Sequence, residues 1–305
     1  MAILDTLASI GLSGAATQGI IWGIMAIGVY ITYKILDIAD LTVDGSFTTG
    51  GAVLVVCVSQ LEMNIWLALL LAFTAGCLAG LMTGLFHTKF GIPAILSGIL
   101  TQFALYSINL RIMTRANVAL NVRKFDVLLS SFNVTHALLV SMLFAAVLIA
   151  VLYWFFGTEL GHSLRATGCN PSMARANGIN TERNKILGLV ISNGLVALSG
   201  ALISQYQGFA DFNMGRGAIV IGLAAVIIGE VLFARMYRNF AIRLISSVVG
   251  GILYYIIITL VLRMGLKADD LKLLSAIVVA IFLGVPYWKK RVSEMRTAKE
   301  DAPNA

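Results

Sequence analysis

Long apolar runs broken by short polar punctuation make up almost the whole of this chain. An apolar stretch of about 18 or more residues with few charges is long enough to cross a bilayer as a helix. The runs predict spans near 13–34, 46–61, 65–86, 92–110, 135–156, 186–206, 218–234, 244–262 and 271–288, eight or nine in all. The spans at 46–61 and 218–234 are short. Residues 1–12 predict a short amphipathic helix on the membrane surface. They lack the basic start and cleavage site of a signal peptide. The expected fold class is an all-α polytopic membrane protein with about 8–10 transmembrane helices. One transmembrane domain is expected over 1–290, with a solvated tail at 291–305.

The longest polar interruption that carries helix punctuation is 161–187, GHSLRATGCNPSMARANGINTERNKIL. Asn170 has the side chain to cap a helix start, and Pro171 suits the first helical position, where a missing N–H costs nothing. A short helix over Ser172–Asn177 then ends at Gly178, which can take a left-handed conformation. Asn180 or Thr181 caps the next helix. A helix this short is marginal alone in water, so something must cover it, this chain or a partner.

Both short spans follow similar text. VDGSFTTGGAVLVV (43–56) and FNMGRGAIVIGLAAVIIG (212–229) each place an acid nearby, then glycines, then β-branched residues. Glycine-interrupted short segments at matching places in two halves point to an inverted repeat with re-entrant segments around a central pathway. Gly76, Gly80 and Gly84 recur every four residues and put bare backbone on one helix face. Such a stripe permits close helix contact, within the chain or between subunits.

Composition narrows the choice. Hydrophobic residues are 59% of the 305 and charged residues 12%, more apolar surface than a soluble domain of this size could hide. The net charge of +7 reads as basic loops facing anionic lipid and cytoplasm. With the tail inside, fourteen of the 22 Lys and Arg fall on that side, including the 161–187 loop. Cys57, Cys77 and Cys169 suggest neither a disulfide nor a metal site, and His87, His136 and His162 are too scattered for a metal cluster. A phosphate-binding G-x-x-x-x-G-K-[ST] loop is missing, so nucleotide hydrolysis by that route is not expected here. Ionisable and amide groups in membrane segments are costly and often functional. Asp40, Asp44, Asn109, Asn193 and Glu230 are therefore candidates for a translocation path, with Gln102 and Gln205 beside them. The alternative is that the acids cap backbone ends and the amides join helices.

Three stretches resemble the membrane subunit of ABC importers of the branched-chain amino acid and ribose type. IADLTVDGSFTTGGAV, from Asp40, is similar to that family's early Asp-Leu-Ser-Val-Gly type of motif. RATGCNPSMARANGINTERNKILGLVISNGLVALSGAL resembles its cytoplasmic coupling loop and following helix, and ADFNMGRGAIVIGLAAVIIG its later re-entrant segment. The resemblance implies a permease working as two copies or two related chains. It implies two cytoplasmic ATPase subunits that bind the ATP, no cofactor in this chain, and an extracytoplasmic binding protein that delivers solute. By the same resemblance Arg165, Gly168, Asn170, Pro171, Ala174, Arg175, Gly178, Ile179 and Asn180 form the ATPase-coupling region. A bacterial inner-membrane location with a cytoplasmic C-terminus follows, as does a small polar solute such as an amino acid. A self-contained secondary transporter or channel is the alternative. Two departures stand out: Gly229 is followed by Glu230 where the family often pairs glycines, and the N-terminal helix is short.

Overall fold

The computed structural model describes residues 12–233 and 239–263, together with 273, 275–277, 279–281 and 284. The expected helix at 1–12, most of the span at 271–288 and the tail at 291–305 lie outside the described residues. Helix α1 (Leu12–Tyr30) continues through a π-helical turn, Ile31–Ile35. Then come α2 (Thr42–Ser59), α3 (Ile65–Thr88), α4 (Ala94–Met113), β1 (Asn117–Ala119) and α5 (Val134–Phe156). Two shorter helices, α6 (Glu159–Cys169) and α7 (Pro171–Ala176), lead into α8 (Thr181–Gln207). After β2 (Phe209–Asp211) come α9 (Ala218–Leu232) and α10 (Phe240–Arg263). Seven of these are long and apolar enough to cross a membrane, and α9 is a shorter apolar helix, so the protein is an all-α multi-pass membrane protein.

Burial sorts the spans into an inner set and an outer set. The apolar windows of α1, α2 and α8 are 83%, 78% and 78% buried, against 17% for α5 and 28% for α4. In lipid, hydrophobicity alone does not bring helices together, so close backbone contact must do so. The glycine stripe of α3 supplies it within the chain. A Cβ on Gly76 or Gly80 would run into the carbonyls of Asn193 or Leu189 on α8, and one on Gly84 would meet Ile186. Hydroxyls add a second kind of join. Ser192 and Ser199 of α8 donate to the carbonyls of Gly28 and Ile21 on α1, each at 2.7 Å.

The helix pairing has an internal two-fold logic. α3 packs on α8 as α10 packs on α1; α2 packs on α8 as α9 packs on α1; α2 lies on α3 as α9 lies on α10. The seam between α1 and α10 is also glycine-lined, with Gly19 and Gly23 against Ile252 and Val248. Exchanging α1–α2–α3 for α8–α9–α10 thus preserves the neighbours, the arrangement expected of an inverted repeat. β1 and β2 join the two halves as an antiparallel pair, Asn117 opposite Asp211 and Ala119 opposite Phe209.

Several boundaries differ from expectation. Residues 159–169 form a helix rather than loop, because Thr158 caps it and its hydroxyl accepts from the Gly161 N–H, while Leu164 and Thr167 turn inward. α2 begins at Thr42 rather than near 46, because Asp40 accepts the Thr42 N–H and starts the helix within polar text, whereas α8 begins at Thr181, where its Asn180 cap was expected to start it. The 111–133 loop contains β1, which finds its partner in β2, far along the chain.

Candidate functional site

The surface helix α7 is built as its punctuation dictates. Asn170 Oδ1 accepts from the backbone N–H groups of Ser172 at 3.1 Å and Met173 at 3.0 Å, and Pro171 opens the helix. Gly178 takes φ +79°, and Asn180 Oδ1 accepts from the Arg183 N–H at 3.0 Å to start α8. Ala174 is fully buried against its own chain, whereas Met173 is 56% exposed and Arg175 points outward. Below α7, the Asn184 amide donates to Thr167 Oγ1 at 2.9 Å and Ser163 Oγ at 3.2 Å, latching α6 to α8. Gly168 fits against the Ile35 carbonyl, where any side chain would collide. The loop is therefore tied rigidly to the end of α1 and the start of α8.

Two residues of the expected coupling region face inward, where they position the helix within its own chain. Ala174 and Gly168 fill close contacts within the chain. Arg165, on α6 beside the exposed helix, holds its guanidinium over the rings of Phe240 at 4.1 Å and Phe156 at 5.6 Å. Burial there draws its pKa down from the ordinary arginine value. It borders a cavity of about 790 Å³ lined also by Trp154 and His162. Ile179 is half-buried, and Asn180 is exposed with its oxygen used as a cap.

The second feature is a junction inside the bilayer. After the π-helical turn, α2 starts beside the middle of α8. Asp40, 2% exposed, accepts from the Thr42 N–H at 2.9 Å and so caps α2. Its other oxygen accepts from Asn193 Nδ2 at 2.7 Å, and Asn193 Oδ1 accepts from the Ser46 hydroxyl at 2.6 Å. Asn193 sits at about the middle of α8, so this network lies deep. The segment after β2 dips to meet it. Thr48 Oγ1 accepts from the Gly215 N–H at 3.1 Å, and Asp44 accepts from the Gly217 and Ile219 N–H groups, both at 2.9 Å. Thus the two short spans that looked alike in sequence start beside each other, each capped by an aspartate of the 40–44 stretch. A helix broken inside a membrane leaves N–H groups that water cannot reach, and these carboxylates satisfy them.

The family profile described as branched-chain amino acid transport system / permease component matches residues 11–286. The chain belongs to that permease family. A tyrosine transport system permease protein of Clostridioides difficile (strain R20291) is 42% identical over 90% of this chain and 90% of its own. An uncharacterized protein of Rickettsia prowazekii (strain Madrid E) is 37% identical over 88% and 95%. The ribose import permease protein of Escherichia coli (strain K12) is 25% identical over 75% and 72%. No solved structure matches.

In this permease the expected path residues fall in three places. Asp40 and Asn193 share the buried network, and Asp44 caps α9. Asn109 is buried on α4 with its amide 3.5 Å from the Gly45 carbonyl, near the same junction. Glu230 stands apart, paired with Lys34 at 2.7 Å at the other end of α9. Gln205 accepts from the Leu128 N–H at 3.1 Å and braces the loop before α5. Sequence reasoning missed Ser46 and Thr48, whose role depends on a partner some 150 residues away. It also missed Arg216, which it counted as an outside loop charge although the loop dips inward. Only the flanking glycines, Gly215 and Gly217, hinted that the backbone there makes close contacts.

Proposed function

We propose that this permease is the membrane-spanning subunit of an ATP-driven importer, and that α7 is its contact with a cytoplasmic ATPase dimer. The observation that carries the reading is the construction of α7. It is capped at its start, braced by Ala174 and by the Asn184 bonds to α6, and presents Met173 and Arg175 outward. A rigid exposed knob at the joint between α1 and α8 can transmit a push to the inner helices. Met173 on the knob's exposed face is left uncovered by its own chain, which favours a partner.

On this reading two copies, or two related chains, enclose the path. A separate binding protein brings the solute to the opposite face, and ATP is bound only by the partner ATPase. The basic bias of the α6–α7 face supports a cytoplasmic side for it, and on this reading the C-terminus lies on the same side of a bacterial inner membrane. The solute is a small polar compound, and the similarity to a tyrosine transport permease favours an aromatic amino acid.

The test is co-purification. The chain is expressed together with a candidate cytoplasmic ATPase and binding protein of the same organism, and Met173→Glu is compared with the unaltered protein. Association with the ATPase should fall while the permease remains folded. Undiminished association would refute the docking role of α7.

A further inference from the structure

Arg216 occupies an unusual position. It precedes α9, whose start lies beside Asp44 and Thr48 of α2. Its guanidinium rests 5.8 Å from the centre of the Tyr106 ring, and Tyr106 makes an edge contact with Phe212 at 5.5 Å. Tyr106 lies within the apolar span α4, about two turns before its end at Met113, so this group sits inside the span rather than in the solvated loop beyond it. Arg216 is nonetheless exposed, as is Tyr106 at 40%. Among the described residues, no carboxylate lies within ion-pair distance of it, and the nearby Asp44 spends its oxygens on backbone N–H groups.

A charged side chain cannot face hydrocarbon at that depth without heavy cost, and in membrane proteins it marks a water-filled path or a partner charge. A guanidinium fork takes a carboxylate in two parallel hydrogen bonds. The two rings beside it offer an aromatic surface at the same level. We propose that Arg216, Tyr106 and Phe212 form the solute-contact station of the translocation path, where Arg216 holds a solute carboxylate and the rings hold an aromatic side chain. This deepens the importer reading and rests on it for direction of transport. It names the face of α4 and the α9 start as the wall of the path, covered in the assembly by the second permease copy.

The test has one arm that needs no transport. Cys57, Cys77 and Cys169 are replaced by serine, and Arg216→Cys is compared in membrane vesicles with Leu143→Cys, a 64% exposed position at mid-depth on α5. The probe is the anionic thiol reagent 2-sulfonatoethyl methanethiosulfonate. Arg216→Cys should react much faster than Leu143→Cys; equal rates would overturn the proposal. In the second arm, L-tyrosine uptake by the complete importer should fall about tenfold or more for Arg216→Gln, the loss of one charge-assisted hydrogen-bonded contact. Arg216→Lys should recover part of it. Normal uptake by Arg216→Gln, or a lysine variant no better than glutamine, would overturn the proposal. ATPase co-purification should be unchanged in all three proteins. If the unaltered protein fails to bind an ATPase, the importer reading falls, while the labelling result still reports on the wet face.

Discussion

The Asp44 carboxylate closes the start of a helix that begins more than 170 residues later, accepting the Gly217 N–H at 2.9 Å and, with its second oxygen, that of Ile219. The bond joins the two halves of the repeat where both chains are broken. Replacing Asp44 by alanine removes both acceptors and leaves two half-buried helix-start donors without their partner. The loss should be about 2–4 kcal/mol. The helix-dipole attraction of a negative group at an N-terminus goes with it. Asp44→Asn keeps one good acceptor and should cost about half as much. Thermal unfolding in detergent reads both, and a midpoint for Asp44→Ala equal to that of the unaltered protein would contradict this account.

The α3–α8 seam gives a steric prediction. Gly80 lies so close to the Leu189 carbonyl that a Cβ has nowhere to go, and helical backbone yields little. Gly80→Val should therefore destabilise by about 3 kcal/mol or more, at the upper end of overpacking effects. Gly14→Ala is the comparison, because its Cβ would meet only the Tyr206 hydroxyl at an ordinary 3.4 Å. The check is the yield of monodisperse protein and its unfolding temperature. Equal tolerance of the two substitutions would mean that the helices are not held by backbone contact.

Much of this was legible because it is local. Asn170, Pro171, Gly178 and Asn180 cap or end helices through bonds to residues two or three away, so the text of 170–183 fixes α7 without reference to the rest of the chain. Apolar length likewise revealed the spans. The stripe Gly76–Gly80–Gly84 announced a close seam, but not its partner α8. The junction was half legible: the two short spans looked alike, yet that Asp44 reaches Gly217 depends on how the chain returns. Depth was the chief loss. Arg216 reads as an ordinary loop cation because its neighbours in sequence are polar, and only the fold brings that loop down to Tyr106. The α6 helix was hidden for the opposite reason. Its residues are polar enough to read as loop, and the few that bury, Leu164 and Thr167, do so against elements from elsewhere.

Asn193 provides a test of coupling. It donates to Asp40 and accepts from Ser46, so Asn193→Leu leaves a buried carboxylate oxygen and a hydroxyl without their partners. The expected loss is about 3 kcal/mol. Asp40→Asn alone keeps the cap on Thr42 but places one amide against another. The swap Asp40→Asn with Asn193→Asp restores an amide–carboxylate pair. Its cost should be smaller than the sum of the two single changes, because residues in one hydrogen-bond network do not act independently. Strict additivity in a double-mutant cycle of unfolding free energies would show that the two side chains do not interact.

The last prediction separates packing from docking within one six-residue helix. Met173 and Ala174 are adjacent, but one is 56% exposed and the other fully buried. Ala174→Trp must displace the chain's own atoms, so it should lower the unfolding temperature of the isolated permease and lose ATPase association only as a consequence. Met173→Glu adds a charge to an exposed position and should leave the unfolding temperature within about 2 °C, since surface changes of this kind are usually worth under about 0.5 kcal/mol. Its association with the ATPase should nevertheless drop, because a carboxylate would be desolvated without a partner in a packed interface. Measuring both quantities on both variants gives a crossed pattern that no single cause produces. If Met173→Glu unfolded the permease as readily as Ala174→Trp, the exposed side of α7 would be a folding surface, and its partner would have to be sought within the chain itself.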